Sequence, residues 1–383
     1  MNDDLSALLA ESVTSAAARA DQAFAERGGS VLRPIVLFGA GNLGQRLATV
    51  ARGLGYDVVA FADNGKARWG TTLLGLPVLS PVDAATRYGG DAVFLVSIWG
   101  AGQGHRYADT ERQLRALGVR RVAAFGHFAW QHPAPLLPYY ALGRPEIPLR
   151  AATAIDSVYG RLADETSRAE FLAQLRWRLH LDYAGLRTPE PPESEYFDRS
   201  IVTGPVRTFV DGGAYDGDTL SRFIDWTGGD FDAAIGIEAD AANVAKLNAN
   251  VSSMTATVAA RVRVASVALA GKSGFVHFDA LGTAASAVSQ SGTRVEAMRL
   301  AEVVGDLRPD YVKLDIEGAE VDVLTDSREA LARWNCAVAA CSYHLPDHLW
   351  KVPALLAEAL PHARLSMRSY GSECYDLVTY AVP

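Results

Sequence analysis

Residues 208–219 decide the fold, and they read TFVDGGAYDGDT. The stretch begins in a short apolar strand, predicted at 207–210, and meets an acid at Asp211. It then turns through glycines and enters a helix, for which Asp218 and Thr219 are the candidate N-cap residues. A strand that passes through a glycine turn into a helix indicates a βαβ unit and therefore a parallel sheet.

The residues of this turn favour a sulfonium amino acid over a pyrophosphate as the bound ligand. Its spacing, Asp-x-Gly-x-x-x-Gly from Asp211 to Gly217, departs from the dinucleotide fingerprint. The Asp211 carboxylate can attract the ammonium group of such a ligand, and the glycines leave room for its methionine chain. The next predicted strand, 233–237, ends in Glu238, which can accept hydrogen bonds from both ribose hydroxyls. The alternative is an ordinary βαβ turn with surface acids.

The pattern continues to the C-terminus. Further strands are predicted at 262–267, 311–314 and 337–342, and an antiparallel hairpin at 363–368 and 376–382 closes the sheet. Ser286 and Ser289, in the stretch from Gly282 to Gly292, are predicted to belong to a flexible lid over the substrate. The alternative is that this stretch, which has little apolar content, is simply disordered.

Three side chains follow the later strands and are the candidate catalytic residues. Asp315 and Glu317 follow the strand at 311–314, and His344 follows the strand at 337–342. A hydroxyl is a poor nucleophile until its proton is removed, and the ordinary pKa of histidine, about 6.5, makes His344 the candidate base. His344 could instead orient substrate or cap a loop, with His348 as a weaker candidate base.

The two acids have alternative roles. Asp315 could contact the ammonium group or act as the base, and Glu317 could hold the substrate. With a histidine, both could hold Mg²⁺. No metal is predicted, because the sequence contains no closed set of ligands.

A second glycine motif lies in the N-terminal half. Gly39–Gly44 reads GAGNLG, follows a strand predicted at 35–38 and opens a helix, with Asp63 about 20 residues further on at a strand end. This context predicts a nucleotide site. Its candidate residues are Gly39, Gly41, Asn42, Leu43 and Asp63. Alternatively, the domain binds no dinucleotide, because Gly44 also serves helix–strand packing.

The amino-acid composition excludes several classes of protein. The chain has 383 residues, of which 49% are hydrophobic and 21% charged, so it can bury large cores. A net charge of −8 argues against nucleic-acid binding, and three cysteines without a Cys-x-x-Cys motif argue against a disulfide framework or a thiolate zinc site. No apolar run approaches the length of a membrane helix, and no signal peptide is evident. We therefore expect a cytoplasmic protein that acts on a small molecule, and a homo-oligomer is left open.

The domain organisation predicted from these patterns is α/β, with two doubly wound Rossmann-like domains. An N-terminal helix at 1–30, centred on 5–25, precedes a nucleotide- or sugar-binding domain at 31–150. A helical linker at 151–205 leads to the last domain, at 206–383.

The C-terminal half resembles the FkbM family of S-adenosylmethionine-dependent methyltransferases. The resemblance rests on residues 211–219, the turn Ile237-Glu238-Ala239-Asp240, Val267-Ala268-Leu269 with Gly274, and residues 312–320 (VKLDIEGAE). It implies a class I methyltransferase fold and O-methylation of a sugar or polyketide hydroxyl. One departure is Ala239, where the family commonly has a proline. The residues predicted to bind S-adenosylmethionine are Asp211, Gly212, Gly213, Tyr215, Asp218, Thr219, Glu238, Ala239, Ser266, Val267 and Asp315.

The first domain resembles the N-terminal domains of PglD-like nucleotide-sugar acetyltransferases, over roughly residues 31–126. The resemblance rests on FADN at 61–64, Trp69-Gly70 and LGLPVL at 74–79. It implies only a binding role, because no acetyltransferase repeat follows. Together the two resemblances predict O-methylation of a sugar-containing, possibly nucleotide-linked, metabolite. The alternatives are a bifunctional protein with a nicotinamide-dependent redox domain, and an N-terminal domain that serves only assembly.

Overall fold

The computed structural model describes residues 3–99, 104–279, 287–289 and 292–383. The chain forms two compact units. Unit 1 comprises Met1–Ala152, Leu172–Thr188 and Gly371–Tyr375, and unit 2 comprises Thr153–Phe171, Pro189–Tyr370 and Asp376–Pro383. Residues 151–205, predicted as a linker, are therefore shared between the units. The lid predicted at 282–292 lies largely outside the described residues. Among the described residues, no helix has the length and apolar character needed to span a membrane.

Unit 1 is built on a six-stranded sheet of order β3-β4-β2-β1-β5-β6, parallel except for the β3–β4 pair. This confirms the predicted doubly wound domain. Its elements are α1 (Asp3–Leu8), α2 (Val13–Asp21), α3 (Ala23–Glu26), β1 (Ile35–Phe38), α4 (Asn42–Gly53), β2 (Val58–Ala62), β3 (Thr72–Leu73), β4 (Leu76–Leu79), α5 (Pro81–Tyr88), β5 (Val93–Val96), α6 (Tyr107–Ala116), β6 (Arg121–Ala124), α7 (Phe125–Gln131) and α8 (Glu146–Arg150).

The N-terminal helix predicted over 5–25 is wrong as a single element, because the structure divides it into α1, α2 and α3. The first break spans residues 9–12. At its end, Ser12 has extended backbone angles and accepts a hydrogen bond from the Ser15 N–H at 3.1 Å, so it caps a new helix. Its side chain satisfies a backbone donor that a continuous helix would have bonded internally.

Unit 1 contains a buried carboxylate whose ionisation opposes folding. Glu373 accepts a hydrogen bond from the Tyr107 N–H, and its carbonyl accepts another from Trp99 Nε1 at 2.8 Å. Burial raises the pKa of Glu373 to about 7, although the Tyr107 N–H and Arg106 act to lower it. Because the folded state holds this proton more tightly than the unfolded chain does, stability is lost as pH rises from about 4.5 through 7.

We expect Glu373→Gln to be more stable than the wild type by up to about 3 kcal/mol at pH 8.5, and by less than about 1 kcal/mol at pH 5. The amide oxygen can still accept from Tyr107 and never ionises. Denaturant unfolding at both pH values measures the difference. Glu26→Gln, at an exposed position of α3, is the control and should show no pH-dependent gain. An equal gain at both pH values would contradict this origin.

Unit 2 is built on a seven-stranded sheet of order β16-β17-β15-β14-β7-β8-β9 and a four-stranded sheet of order β10-β13-β11-β12. The larger sheet is parallel except for β17, which runs antiparallel to β15 and β16, so the predicted terminal hairpin is confirmed. The remaining elements are α9 (Ala152–Arg161), α10 (Glu165–His180), β7 (Thr208–Gly212), α11 (Asp218–Thr227), β8 (Ala233–Glu238), α12 (Ala241–Ser253), α13 (Ala256–Ala259), β9 (Val262–Ser266), β10 (Ala268–Leu269), β11 (Gly274–Asp279), β12 (Ala287–Ser289), β13 (Thr293–Met298), α14 (Leu300–Val304), β14 (Tyr311–Leu314), α15 (Glu320–Trp334), β15 (Ala337–Cys341), α16 (His348–Ala359), β16 (Arg364–Ser369) and β17 (Leu377–Val382); α10 contributes to both units.

Candidate active site at the carboxyl edge of the seven-stranded sheet

The turn between β7 and α11 depends on glycines. Gly212 ends β7, and Gly213 has a φ of +77°; a Cβ on Gly213 would lie 1.8 Å from the Asp315 carbonyl oxygen. Only glycine allows this approach, which brings the turn against the end of β14. The predicted N-cap is wrong by one residue: Gly217 caps α11, with Asp218 and Thr219 as its first residues.

Asp211 lies beneath this turn in a buried ion pair. Its Oδ1 is 3.0 Å from Nζ of Lys313, the residue opposite it on β14, and the side chains are 0% and 2% exposed. Lys313 also donates to the Gly213 carbonyl oxygen at 2.7 Å. The chain's own ammonium group thus engages the carboxylate that was predicted to attract the ligand's ammonium. Lys313 pairs with Asp211 because a buried lysine requires a nearby counter-charge.

Glu238 organises the neighbouring strand end. Its carboxylate accepts hydrogen bonds from the backbone N–H groups of Tyr215 at 3.0 Å, Ala239 at 3.0 Å and Asp240 at 2.8 Å. Burial raises the pKa of Glu238, and these three N–H groups oppose that rise. Asp240 accepts from the Ala242 N–H at 2.8 Å and caps α12, so the turn is held without the proline that is common in the FkbM family.

The last two predicted cofactor residues follow the same sheet edge. Ser266 ends β9 directly opposite Glu238 and is exposed, and Val267 is buried. The structure therefore brings Tyr215, Glu238, Ala239 and Ser266 into one region.

The three predicted catalytic side chains also come together. His344 Nε2 lies 3.3 Å from Asp315 Oδ1 and 3.7 Å from Glu317 Oε2. Glu317 lies three residues beyond the end of β14 and has a φ of +51°, an uncommon conformation for a residue with a side chain. We call Asp315, Glu317 and His344 the carboxylate–histidine cluster.

Glu320 lies behind this cluster, and no role was predicted for it from the sequence. Its Oε1 is 2.8 Å from His344 Nδ1, and its Oε2 is 3.4 Å from His348 Nδ1. Glu320 is fully buried and also accepts the backbone N–H groups of Ile316 at 2.8 Å and Gly318 at 3.1 Å. Its carboxylate therefore fixes both the His344 ring and the turn that carries Glu317.

The electrostatics of the cluster differ from the prediction. Burial alone would lower the pKa of His344, but Glu320, Glu317 and Asp315 raise that pKa to about 10. Burial, opposed by His344, raises the pKa of Glu317 to about 7. The imidazole therefore carries a proton at neutral pH in this state, whereas a base with an ordinary pKa was predicted.

A cavity of about 710 Å³ opens beside the cluster, between the start of the small sheet and the first turns of α15. Glu317 lines it. Its other lining residues include Leu269, Phe275, Asp322, Asp326 and Leu345.

Tyr196 is a second residue for which the sequence predicted no role in the site. It is buried, and its hydroxyl donates a hydrogen bond to Asp315 Oδ2 at 3.2 Å.

At the predicted nucleotide site of unit 1, the glycine turn is held by Asp63, and open space remains at Gly41. Asp63 accepts hydrogen bonds from the backbone N–H groups of Ala40 at 2.8 Å and Gly65 at 2.7 Å, so its carboxylate already holds the glycine turn. A Cβ on Gly44 would lie 2.0 Å from the Gly39 carbonyl oxygen, which supports a packing role for Gly44. A Cβ on Gly41 would meet no atom within 4 Å, so space remains over the start of α4. Asn42 is exposed there, and Leu43 is buried.

The strand order of unit 2, with its antiparallel last pair, defines a class I methyltransferase fold. Residues 211–374 match the model of the methyltransferase FkbM domain. This match confirms the FkbM methyltransferase domain predicted for the C-terminal half, and a domain of this kind implies the use of S-adenosylmethionine.

A solved structure supports the fold. An FkbM methyltransferase from Methylobacillus flagellatus is 21% identical, covers 97% of this chain and 99% of its own, and has a TM-score of 0.76. UDP-D-quinovosamine 4-dehydrogenase from Vibrio fischeri is 23% identical over 24% of this chain and 76% of its own, with a TM-score of 0.21. A putative rRNA methylase from Clostridium thermocellum is 10% identical over 51% of this chain and 99% of its own, with a TM-score of 0.31. These last two scores are too low to establish a shared fold. Comparison with curated proteins finds no match.

Proposed function

We propose that unit 2 transfers the methyl group of S-adenosylmethionine to a hydroxyl of a sugar or sugar-containing metabolite. The observation that carries this proposal is that three strands of the FkbM domain end in acids at one sheet edge. These strands are β7 with Asp211, β8 with Glu238, and β14 followed by Asp315 and Glu317. Ligands of open α/β sheets bind at the carboxyl ends of the strands.

The reaction is an in-line displacement at the sulfonium methyl group. The donor is already activated, so alignment of the two reactants supplies much of the acceleration. The acceptor O–H bond breaks as the new O–CH₃ bond forms, and S-adenosylhomocysteine leaves. The proton needs an acceptor at the cavity. Of the three cluster residues, Glu317 lines the cavity, so we assign the proton to its carboxylate.

The lining of the cavity supports a sugar as acceptor. Phe275 is 61% exposed and offers an apolar face to one side of a sugar ring. Asp322 offers carboxylate oxygens that accept hydrogen bonds from hydroxyls, whereas both carboxylate oxygens of Asp326 lie 2.9 Å from Arg299 Nε. Lys272 offers a cation for an anionic carrier group.

Calorimetry with S-adenosylhomocysteine tests the function. We expect the wild-type chain to bind it and Glu238→Gln to bind at least about tenfold more weakly, because a charge-assisted hydrogen bond to ribose contributes about 1.5–3 kcal/mol. Glu329→Gln, at an exposed position of α15, is the matched control and should bind normally. Transfer of radiolabelled methyl from S-adenosylmethionine to a panel of free and nucleotide-linked sugars then identifies the acceptor. The proposal fails if wild-type protein does not bind S-adenosylhomocysteine.

For unit 1 we propose that the space above Gly41 receives the nucleotide part of the acceptor. A second arm of the same calorimetry titrates nucleotide sugars and nicotinamide cofactors. Gly41→Val should abolish nucleotide-sugar binding, whereas Gly53→Val, in similarly open space at the other end of α4, should not. Nicotinamide binding that depends on Gly41 would instead support the redox alternative, and binding of neither ligand would support a domain that serves only assembly.

A further inference from the structure

The carboxylate–histidine cluster has the composition and spacing of a cation site. Asp315, Glu317 and His344 each offer one ligand atom, and these three atoms lie within 4.8 Å of one another. Two ligands bound at right angles and about 2.1 Å from one cation are about 3 Å apart. The observed distances from His344 Nε2, 3.3 Å to Asp315 and 3.7 Å to Glu317, therefore need only small side-chain rotations.

The imidazole is oriented as a ligand would be. Glu320 Oε1 lies 2.8 Å from His344 Nδ1, and the same carboxylate accepts two backbone N–H groups and lies 3.4 Å from His348 Nδ1. A carboxylate behind a ligating histidine fixes the ring and directs its other nitrogen to the metal. Here the other nitrogen, Nε2, is directed to the two remaining cluster residues.

The cluster also has the charge and the access that a cation needs. The side chains of Asp315 and Glu317 are 27% and 18% exposed, whereas His344 is 2% exposed, so the site is open on its carboxylate side. The nearby Lys313 is 3.0 Å from Asp211 but 4.0 Å from Asp315, and Asp211 largely neutralises it. Three carboxylates, those of Asp315, Glu317 and Glu320, thus surround a single histidine.

We propose that Asp315, Glu317 and His344 bind one divalent cation of the Mg²⁺ or Mn²⁺ type, which displaces the Nε2 proton of His344 to solvent, and that the acceptor hydroxyl joins this cation from the cavity. Two carboxylate oxygens and one imidazole suit these hard cations. Glu317 binds through one oxygen, and its other oxygen takes the hydroxyl proton as the methyl group moves from sulfur to oxygen. The role of the hydroxyl rests on the proposed function, whereas the cation site itself does not.

Manganese titration tests the site without any acceptor. The full chain is stripped with a chelator and titrated with MnCl₂, while electron paramagnetic resonance measures free Mn²⁺ and calorimetry measures the heat. We expect about one equivalent to bind and Mg²⁺ to compete with it. Glu317→Gln should weaken binding at least about tenfold, since even outer-sphere changes cost 10–100-fold. Asp322→Asn, which alters another acid of the same cavity, is the control and should bind within about twofold of wild type.

The outcomes separate the two proposals. If wild-type protein binds S-adenosylhomocysteine but not Mn²⁺, the cation site is overturned and the methyltransferase function stands. If it binds neither ligand, both proposals fail. If Glu317→Gln is folded by circular dichroism and binds Mn²⁺ as tightly as wild type, the assigned ligands are wrong.

Discussion

Replacing Asp211 by alanine is expected to destabilise unit 2 by about 3–5 kcal/mol. The reason is the burial of its partner, since Lys313 is 2% exposed and its Nζ lies 3.0 Å from the Asp211 carboxylate. Removing the acid leaves an uncompensated ammonium group inside the sheet, and such a charge costs far more than the lost pair contributed. Hydrogen exchange of the β7 and β14 amides measures the effect on this unit alone.

Two further variants make the test specific. Asp218→Ala changes an exposed carboxylate of the same turn, and we expect a cost below about 1 kcal/mol. The double variant Asp211→Ala/Lys313→Met removes both charges and should recover most of the lost stability. If the losses of stability measured for Asp211→Ala and for Lys313→Met alone simply add in the double variant, the ion pair is not what supports this strand pair. Loss of S-adenosylhomocysteine binding in Asp211→Ala alone would not identify a cofactor contact, because the strand pair next to the site is destabilised as well.

The strands that sequence reasoning located well are buried on both faces. Tyr311–Leu314 and Ile35–Phe38 were predicted with their observed bounds, since all four residues of each strand are buried and the chain shows a continuous apolar run. The small sheet was missed because β11 and β13 are largely exposed, with Phe275 61% exposed, and short half-exposed strands carry little periodic signal.

The candidate site was predictable where topology alone brings residues together. Asp315, Glu317 and His344 follow neighbouring parallel strands, and the carboxyl ends of such strands meet at one edge. Their pairing partners were not predictable in this way. Tyr196 lies 119 residues before Asp315, and no spacing rule relates the two. Lys313 did give a signal, because a lysine inside an apolar strand requires a partner, and Asp211 was the acid at the adjacent strand end.

Replacing His344 by glutamine is expected to lower kcat for methyl transfer by about 10²–10⁴-fold, because it displaces Glu317, the proton acceptor, and a positioned proton-transfer group supplies that range. His344 lies between Asp315 and Glu317, so its loss leaves two carboxylates facing each other without the imidazole that holds them. The glutamine side chain can still donate a hydrogen bond to the Glu320 carboxylate, so the contact behind the cluster is preserved. Because the Tyr215–Glu238 region is untouched, the dissociation constant of S-adenosylhomocysteine should change by less than about threefold.

His348 provides the matched control, because it is a histidine that contacts the same glutamate. It is fully buried, lies 3.4 Å from Glu320 Oε2 and is not among the residues that line the cavity. Burial lowers the pKa of His348, so the neutral imidazole is favoured and its replacement removes no charge from the cluster. His348→Gln should therefore keep kcat within about fivefold while lowering the melting temperature. Equal losses of kcat in both variants would mean that the effect travels through the packing of Glu320, and an unchanged kcat in His344→Gln would remove His344 from the chemistry.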